Sequence, residues 1–178
     1  MDRNLSAEEL KNFKSDGVAV LRNAIDGSWV ERMSAVIDQQ LTAPSKWSND
    51  GNPDATENRQ FTDRYLWQEN AEINAFIRES GCARLAAEAM ESSFARFYFD
   101  HLLVKEANTQ APTPWHQDAP YWPFLGKQIC SIWVALTPCD IAGSAMEFVS
   151  GSHLDDKYYV AESFLGKDDA NQTWQAEG

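Results

Sequence analysis

The densest group of chemically useful side chains in the sequence is Trp115-His116-Gln117-Asp118. In an extended chain, positions i and i+2 project to the same side, about 6–7 Å apart along the strand. An imidazole and a carboxylate so placed can both turn onto one divalent ion. Neutral imidazole with a hard carboxylate suits a borderline metal. Two histidines and one carboxylate on one face of an ion leave three positions open, the facial arrangement of non-haem Fe(II) oxygenases. The same tripeptide also arises as a plain His–Asp hydrogen bond on a surface strand, or as a capping Asp ahead of Pro120. Imidazole chemistry must draw on three residues, His101, His116 and His153. The three cysteines, Cys82, Cys130 and Cys139, are odd in number and form no CxxC pair. Reduced thiols in a cytoplasmic protein fit this better than a disulfide framework or a zinc knuckle.

The elements that must position this pair fall into two regions of unlike character. Ser6 with Glu9 three residues later is a capping-box pattern that opens a helix stopped by Gly17. Val18 to Leu21 reads as a short strand. Trp29, Val30, Met33, Val36, Ile37 and Leu41 recur at the 3.6-residue period and predict a helix over about 28–41. The polar stretch from Ala43 to Arg64 reads as a long loop. It either covers the site, with Trp47, Arg59 and Arg64 as substrate contacts, or lies in solvent. Helical patterns return around Ile73 and Phe76, break near Gly81 and resume through Met90. From Phe94 onward, aromatic and β-branched residues favour strands at 95–105, 115–118, 129–137 and 145–149. Alternation places Phe97, Phe99, His101, Leu103 and Lys105 on one face of the first. Helices followed by strands predict an α+β fold on an antiparallel sheet.

Composition limits the partners. The chain has 178 residues, and 27 acidic against 15 basic side chains leave a formal charge of −12. That size is the size of one domain with a real core. The acidic balance argues against nucleic acid, because a polyanion needs a basic footprint. At 43 % hydrophobic residues the chain is too apolar to be disordered. No apolar run is long enough to span a membrane, and the opening MDRNLSAEEL has no secretory-leader pattern.

The run TPWHQDAPYWPFLGKQICSIWVALTPCD, followed by SAMEFVSGSHL, resembles the phytanoyl-CoA dioxygenase family. The opening LSAEELKNFKSDGVAVLRNAID is similar to that family's entry segment. The resemblance implies N-terminal helices packed on a double-stranded β-helix, a jelly roll of cupin type. It implies an oxygenase that uses Fe(II), 2-oxoglutarate and dioxygen to hydroxylate a small organic substrate. His116 and Asp118 match the first two iron ligands. Gln117 between them points away from the metal and is at most a contact to the cosubstrate. Trp133 matches a tryptophan lining the 2-oxoglutarate pocket, or is simply a core aromatic. Lys105 either faces an anion or is a solvated strand end. His101 reads as a core or rim histidine.

The family also needs a distal histidine as third ligand and, about ten residues on, an arginine that forks onto 2-oxoglutarate. The last arginine here is Arg96, and the histidine after His116 is His153, 37 residues later in a Gly-Ser-His turn. A jelly roll wants about eight strands, and the pattern offers five, counting 18–22. The expectation is therefore one truncated domain over 1–178, binding iron weakly and turning over little. Two alternatives stand beside it: a non-catalytic small-molecule-binding module on the same scaffold, and a site in which His153 serves as the distal ligand.

Overall fold

A computed structural model describes residues 3–50, 58–109, 113–155 and 157–160. The first helix, α1 (Ala7–Asp16), is capped as the sequence predicts. The Ser6 hydroxyl accepts from the Glu9 N–H at 3.1 Å, and the Glu9 carboxylate accepts from the Ser6 N–H at 2.8 Å. Arg3 forks onto the same carboxylate at 2.7 and 2.8 Å. The guanidinium, helped by the Ser6 N–H, lowers the Glu9 pKa to about 2. Gly17 ends the helix in the left-handed conformation, φ 82°, with its N–H on Phe13.

Helix α2 (Gly27–Thr42) starts at Asp26, whose carboxylate accepts from the Ser28 N–H. It buries Trp29, Met33 and Val36, the stripe that its periodicity predicts. Helices α3 (Ala71–Glu79) and α4 (Cys82–Ala89) follow, separated by a left-handed Gly81. Met33 and Val36 meet Leu66 and Ile73 in the central cluster, with Trp67, Phe76, Ile77, Leu102 and Leu136 packed against it.

The sheet has three antiparallel strands in the order β1 (Asn49–Asp50), β2 (Gln60–Arg64) and β3 (His101–Lys105). Phe61 pairs with Val104, and Asp63 with Leu102. This face turns to the helices: Phe61 and Asp63 are the two most deeply buried side chains, and Leu102 packs on the central cluster. The opposite face carries Gln60, Thr62 and Arg64 from β2 and Lys105, Leu103 and His101 from β3.

The α+β class stands, but helices and strands alternate along the chain, α1 and α2 coming before β1 and β2 and α3 and α4 before β3, and the strand pattern needs correcting. No strand forms at 18–22, where Val20 is 69 % exposed. The strand expected over 95–105 shortens to His101–Lys105. No ladder forms at 115–118, 129–137 or 145–149. The loop expected over 43–64 instead supplies β1 and β2. A double-stranded β-helix is therefore not seen among the described residues. Alternation reports only which side chains suit a strand, whereas a strand exists only where a backbone partner lies alongside. β2 escaped detection because one of its buried positions is an aspartate.

The turn at 150–153 docks on the C-terminus of α1. The Gly151 N–H donates to the Asp16 carbonyl at 3.0 Å, and the Ser150 hydroxyl to the Asp16 carboxylate at 3.0 Å. His153 Nε2 lies 3.1 Å from the Lys14 carbonyl. A methyl group at Gly17 would stand 2.5 Å from His153 Nδ1, on a backbone that L-residues avoid. Gly17→Ala is therefore expected to lose about 1–3 kcal/mol of stability in urea unfolding. Gly27→Ala, whose methyl meets nothing within 4 Å, is the control and stays within about 0.5 kcal/mol.

Candidate functional site

Pro114 sets the local geometry around His116. Nδ1 of His116 lies 2.8 Å from the Pro114 carbonyl. A carbonyl only accepts, so Nδ1 carries the proton, and in the neutral ring Nε2 presents its lone pair. Nε2 stands 3.2 Å from Asp118 Oδ1, close enough for a protonated ring to donate to the carboxylate or for both atoms to turn onto one cation. Asp118 caps a short 3-10 turn, Ala119–Tyr121, by accepting the Tyr121 N–H on its own carbonyl at 3.0 Å. This turn bends the chain so that the carboxylate folds back towards the ring. The Ser131 hydroxyl donates to the other carboxylate oxygen at 3.0 Å, and Tyr121 meets the imidazole edge-on at 6.0 Å.

The pair fits a metal. Two ligand atoms about 2.1 Å from an ion and at right angles to each other stand about 3 Å apart. The observed 3.2 Å separation is close to that. The Pro114 carbonyl plays the part that outer hydrogen bonds play for metal-bound histidines, fixing tautomer and ring orientation. Among the described residues, no group of three His, Cys, Asp or Glu side chains is gathered for a metal. His153 is committed to the end of α1 and does not join His116 and Asp118, which removes the reading of it as the distal ligand.

The remaining sequence candidates are dispersed. The Gln117 amide donates to the Lys157 carbonyl and accepts the Tyr159 N–H, both at 3.0 Å, which clamps that segment to the 116–118 bend. Lys105 ends β3 with its ammonium 2.9 Å from the Thr113 hydroxyl. Trp133 is 46 % exposed. Arg59 is held by Asp50 at 2.7 and 2.9 Å, which ties β1 to the start of β2. Cys82, Cys130 and Cys139 are free thiols. Removal of water by burial pushes the Cys82 and Cys130 thiols up, as suits idle groups.

Ser131, which orients Asp118, carried no signal in the sequence. His101 reads in the sequence as a core or rim histidine, and the structure brings it near the site. Its ring stacks on Phe99 at 6.2 Å. The crowded surroundings withdraw water from the ring, although part of it reaches solvent, and Arg64 adds a like charge. Together they pull its pKa down to about 4, against an upward pull from Asp118 and Asp63. No helix among the described residues is long and apolar enough to cross a membrane.

Compared with known proteins, residues 13–177 match the family model described as Phytanoyl-CoA dioxygenase (PhyH). No curated protein and no solved structure matches the chain.

Proposed function

The chain belongs to the phytanoyl-CoA dioxygenase family, and from that premise we propose that it carries the near half of an Fe(II)- and 2-oxoglutarate-dependent hydroxylase site acting on a small organic substrate. The family is one of iron- and 2-oxoglutarate-dependent oxygenases, so the kind of chemistry follows from membership. The observation that carries the residue assignment is the 3.2 Å approach of His116 Nε2 to Asp118 Oδ1, with the imidazole tautomer held from behind by Pro114. His116 and Asp118 hold the iron. Lys105 and Trp133 take the cosubstrate, Lys105 as the cation for its carboxylate and Trp133 as an apolar wall. Gln117 keeps the 157–159 segment beside the site.

Iron with 2-oxoglutarate and dioxygen supplies the oxidising power that no side chain has. The protein's own work is orientation. Pro114 fixes the Nδ1 proton and the ring orientation, so that Nε2 is turned towards Asp118, and Ser131 holds one carboxylate oxygen, so that the other faces the ring. Tyr121 meets the imidazole edge-on and limits its rotation on one side.

Two ligands hold a metal less firmly than three. Exposed Ile132, Trp133, Phe148 and Val149, with no ladder partner among the described residues, support the reading of 1–178 as one incomplete domain of jelly-roll type. Binding of iron is therefore weak and turnover slow. The same two-ligand count favours, as the second reading, a binding module without catalysis. Mn(II) titration with and without 2-oxoglutarate, followed by succinate release with Fe(II) and ascorbate, separates them. The proposal expects weak Mn(II) binding that 2-oxoglutarate tightens, and slow succinate release lost in Asp118→Ala. Absence of Mn(II) binding would leave the module. Brisk turnover by the wild-type chain would overturn the incomplete-site argument.

A further inference from the structure

The sheet face turned away from the helices carries an arginine that forms no ion pair among the described residues. Arg64 and His101 are directly paired across β2 and β3, so their side chains share that face. The neighbouring carboxylate, Asp63, points to the other face and is already satisfied by Gln40, by the Ser45 N–H and hydroxyl, and by the Arg64 N–H. Arg64 is exposed, and its guanidinium forms no ion pair with any carboxylate among the described residues. His101, which shares this face with Arg64, lies within electrostatic reach of both Arg64 and Asp118.

Next to this arginine in the chain, Tyr65 belongs to a cluster of aromatic rings packed edge-on and tilted. Tyr65 takes the left-handed conformation, φ 60° and ψ 22°, costly for a non-glycine residue. Its N–H donates to the Asp100 carbonyl at 3.3 Å, and the Asp100 carboxylate accepts the N–H groups of Leu66 and Trp67. So held, the Tyr65 ring lies between Trp47 at 5.4 Å and Phe99 at 5.5 Å. Phe99 in turn stacks on His101.

The second cation of this face, Lys105, lies four residues from His101 along β3, about 13–14 Å away. One carboxylate cannot reach both ends. In a chain of charge −12, an organic anion reaches this face only if a local cation outweighs the overall field. A guanidinium presents the planar fork that matches a carboxylate.

We propose that Arg64 is the specificity-determining residue for an organic acid substrate, its fork holding the substrate carboxylate while Trp47, Tyr65 and Phe99 hold an apolar or aromatic body. This rests on the hydroxylase reading above, in which Lys105 serves the cosubstrate and Arg64 is left for the substrate.

The test uses the full chain with Mn(II) and two probes of matched shape, 3-phenylpropionate and the neutral 3-phenylpropanol, followed by calorimetry. The acid is expected to bind at least about tenfold more tightly than the alcohol, one good charge-assisted contact being worth at least that. Arg64→Gln removes the preference and leaves alcohol binding where it was, while Arg64→Lys keeps part of it. Equal binding of acid and alcohol to wild type, or a preference that survives Arg64→Gln, overturns the proposal. Tighter binding of phenyl phosphate than of the acid overturns the carboxylate class. Acid selectivity in a chain that binds no Mn(II) supports the arginine's role while removing the reading beneath it, so the two failures are told apart.

Discussion

Mn(II) binding to His116→Ala or Asp118→Ala is expected to fall by at least about 100-fold relative to wild type. Outer hydrogen-bond partners of metal ligands are typically worth 10–100-fold in affinity, and loss of a ligand exceeds loss of its support. The described residues gather no third ligand group, so losing one of two leaves a single donor. Ser131→Ala, which frees one carboxylate oxygen of Asp118, is expected to cost about tenfold. His153→Ala is expected to leave affinity unchanged, because that ring lies against the Lys14 carbonyl at the end of α1. Paramagnetic resonance of free Mn(II), or calorimetry, reads all four variants. Loss of binding in His153→Ala with retention in His116→Ala would refute the assignment.

The second large effect falls on stability. Asp63→Ala is expected to lose about 3–5 kcal/mol in urea unfolding. Asp63 is 0 % exposed, so nothing replaces its oxygens. One oxygen accepts from Gln40 at 3.1 Å and the Ser45 N–H at 2.9 Å; the other accepts from the Ser45 hydroxyl at 2.5 Å and the Arg64 N–H at 2.9 Å. Removing the carboxylate takes the acceptor from four donors at once, which costs more than the hydrogen bonds contributed net. The damage also reaches the proposed substrate wall. Ser45 anchors the turn that carries Trp47, since its hydroxyl accepts the Trp47 N–H at 2.9 Å. Trp47 is therefore expected to leave Tyr65, visible as a shift in tryptophan emission. Asp63→Asn keeps the shape and one acceptor, and so loses less. A change below about 1 kcal/mol in Asp63→Ala would show that the carboxylate is not the pin of β2.

What the sequence by itself determined is local. The capping box at Ser6 and Glu9, the stop at Gly17, the buried stripe of α2 and the pairing of His116 with Asp118 each depend on neighbours within a turn or two. Chain geometry at that range leaves few alternatives, so residue type and spacing suffice to read them. The family-wide text over 94–154 added the chemistry that spacing alone left open.

Tertiary structure decided everything that joins distant segments. β1 and β2 lie in a stretch whose polarity reads as loop, and they become strands because β3, some forty residues later, offers its backbone alongside. Asp63 is buried against the rule for carboxylates because Gln40 and Ser45 arrive from elsewhere in the chain. His153 has the residue type of a metal ligand, but its place against Lys14 is set by the docking of one turn on one helix end. Arg64 meets His101 through strand register, which no short window of sequence contains. Hydrogen-bond partners and burial are properties of pairs brought together by folding, so residue types can nominate them and only the assembled chain can choose among them.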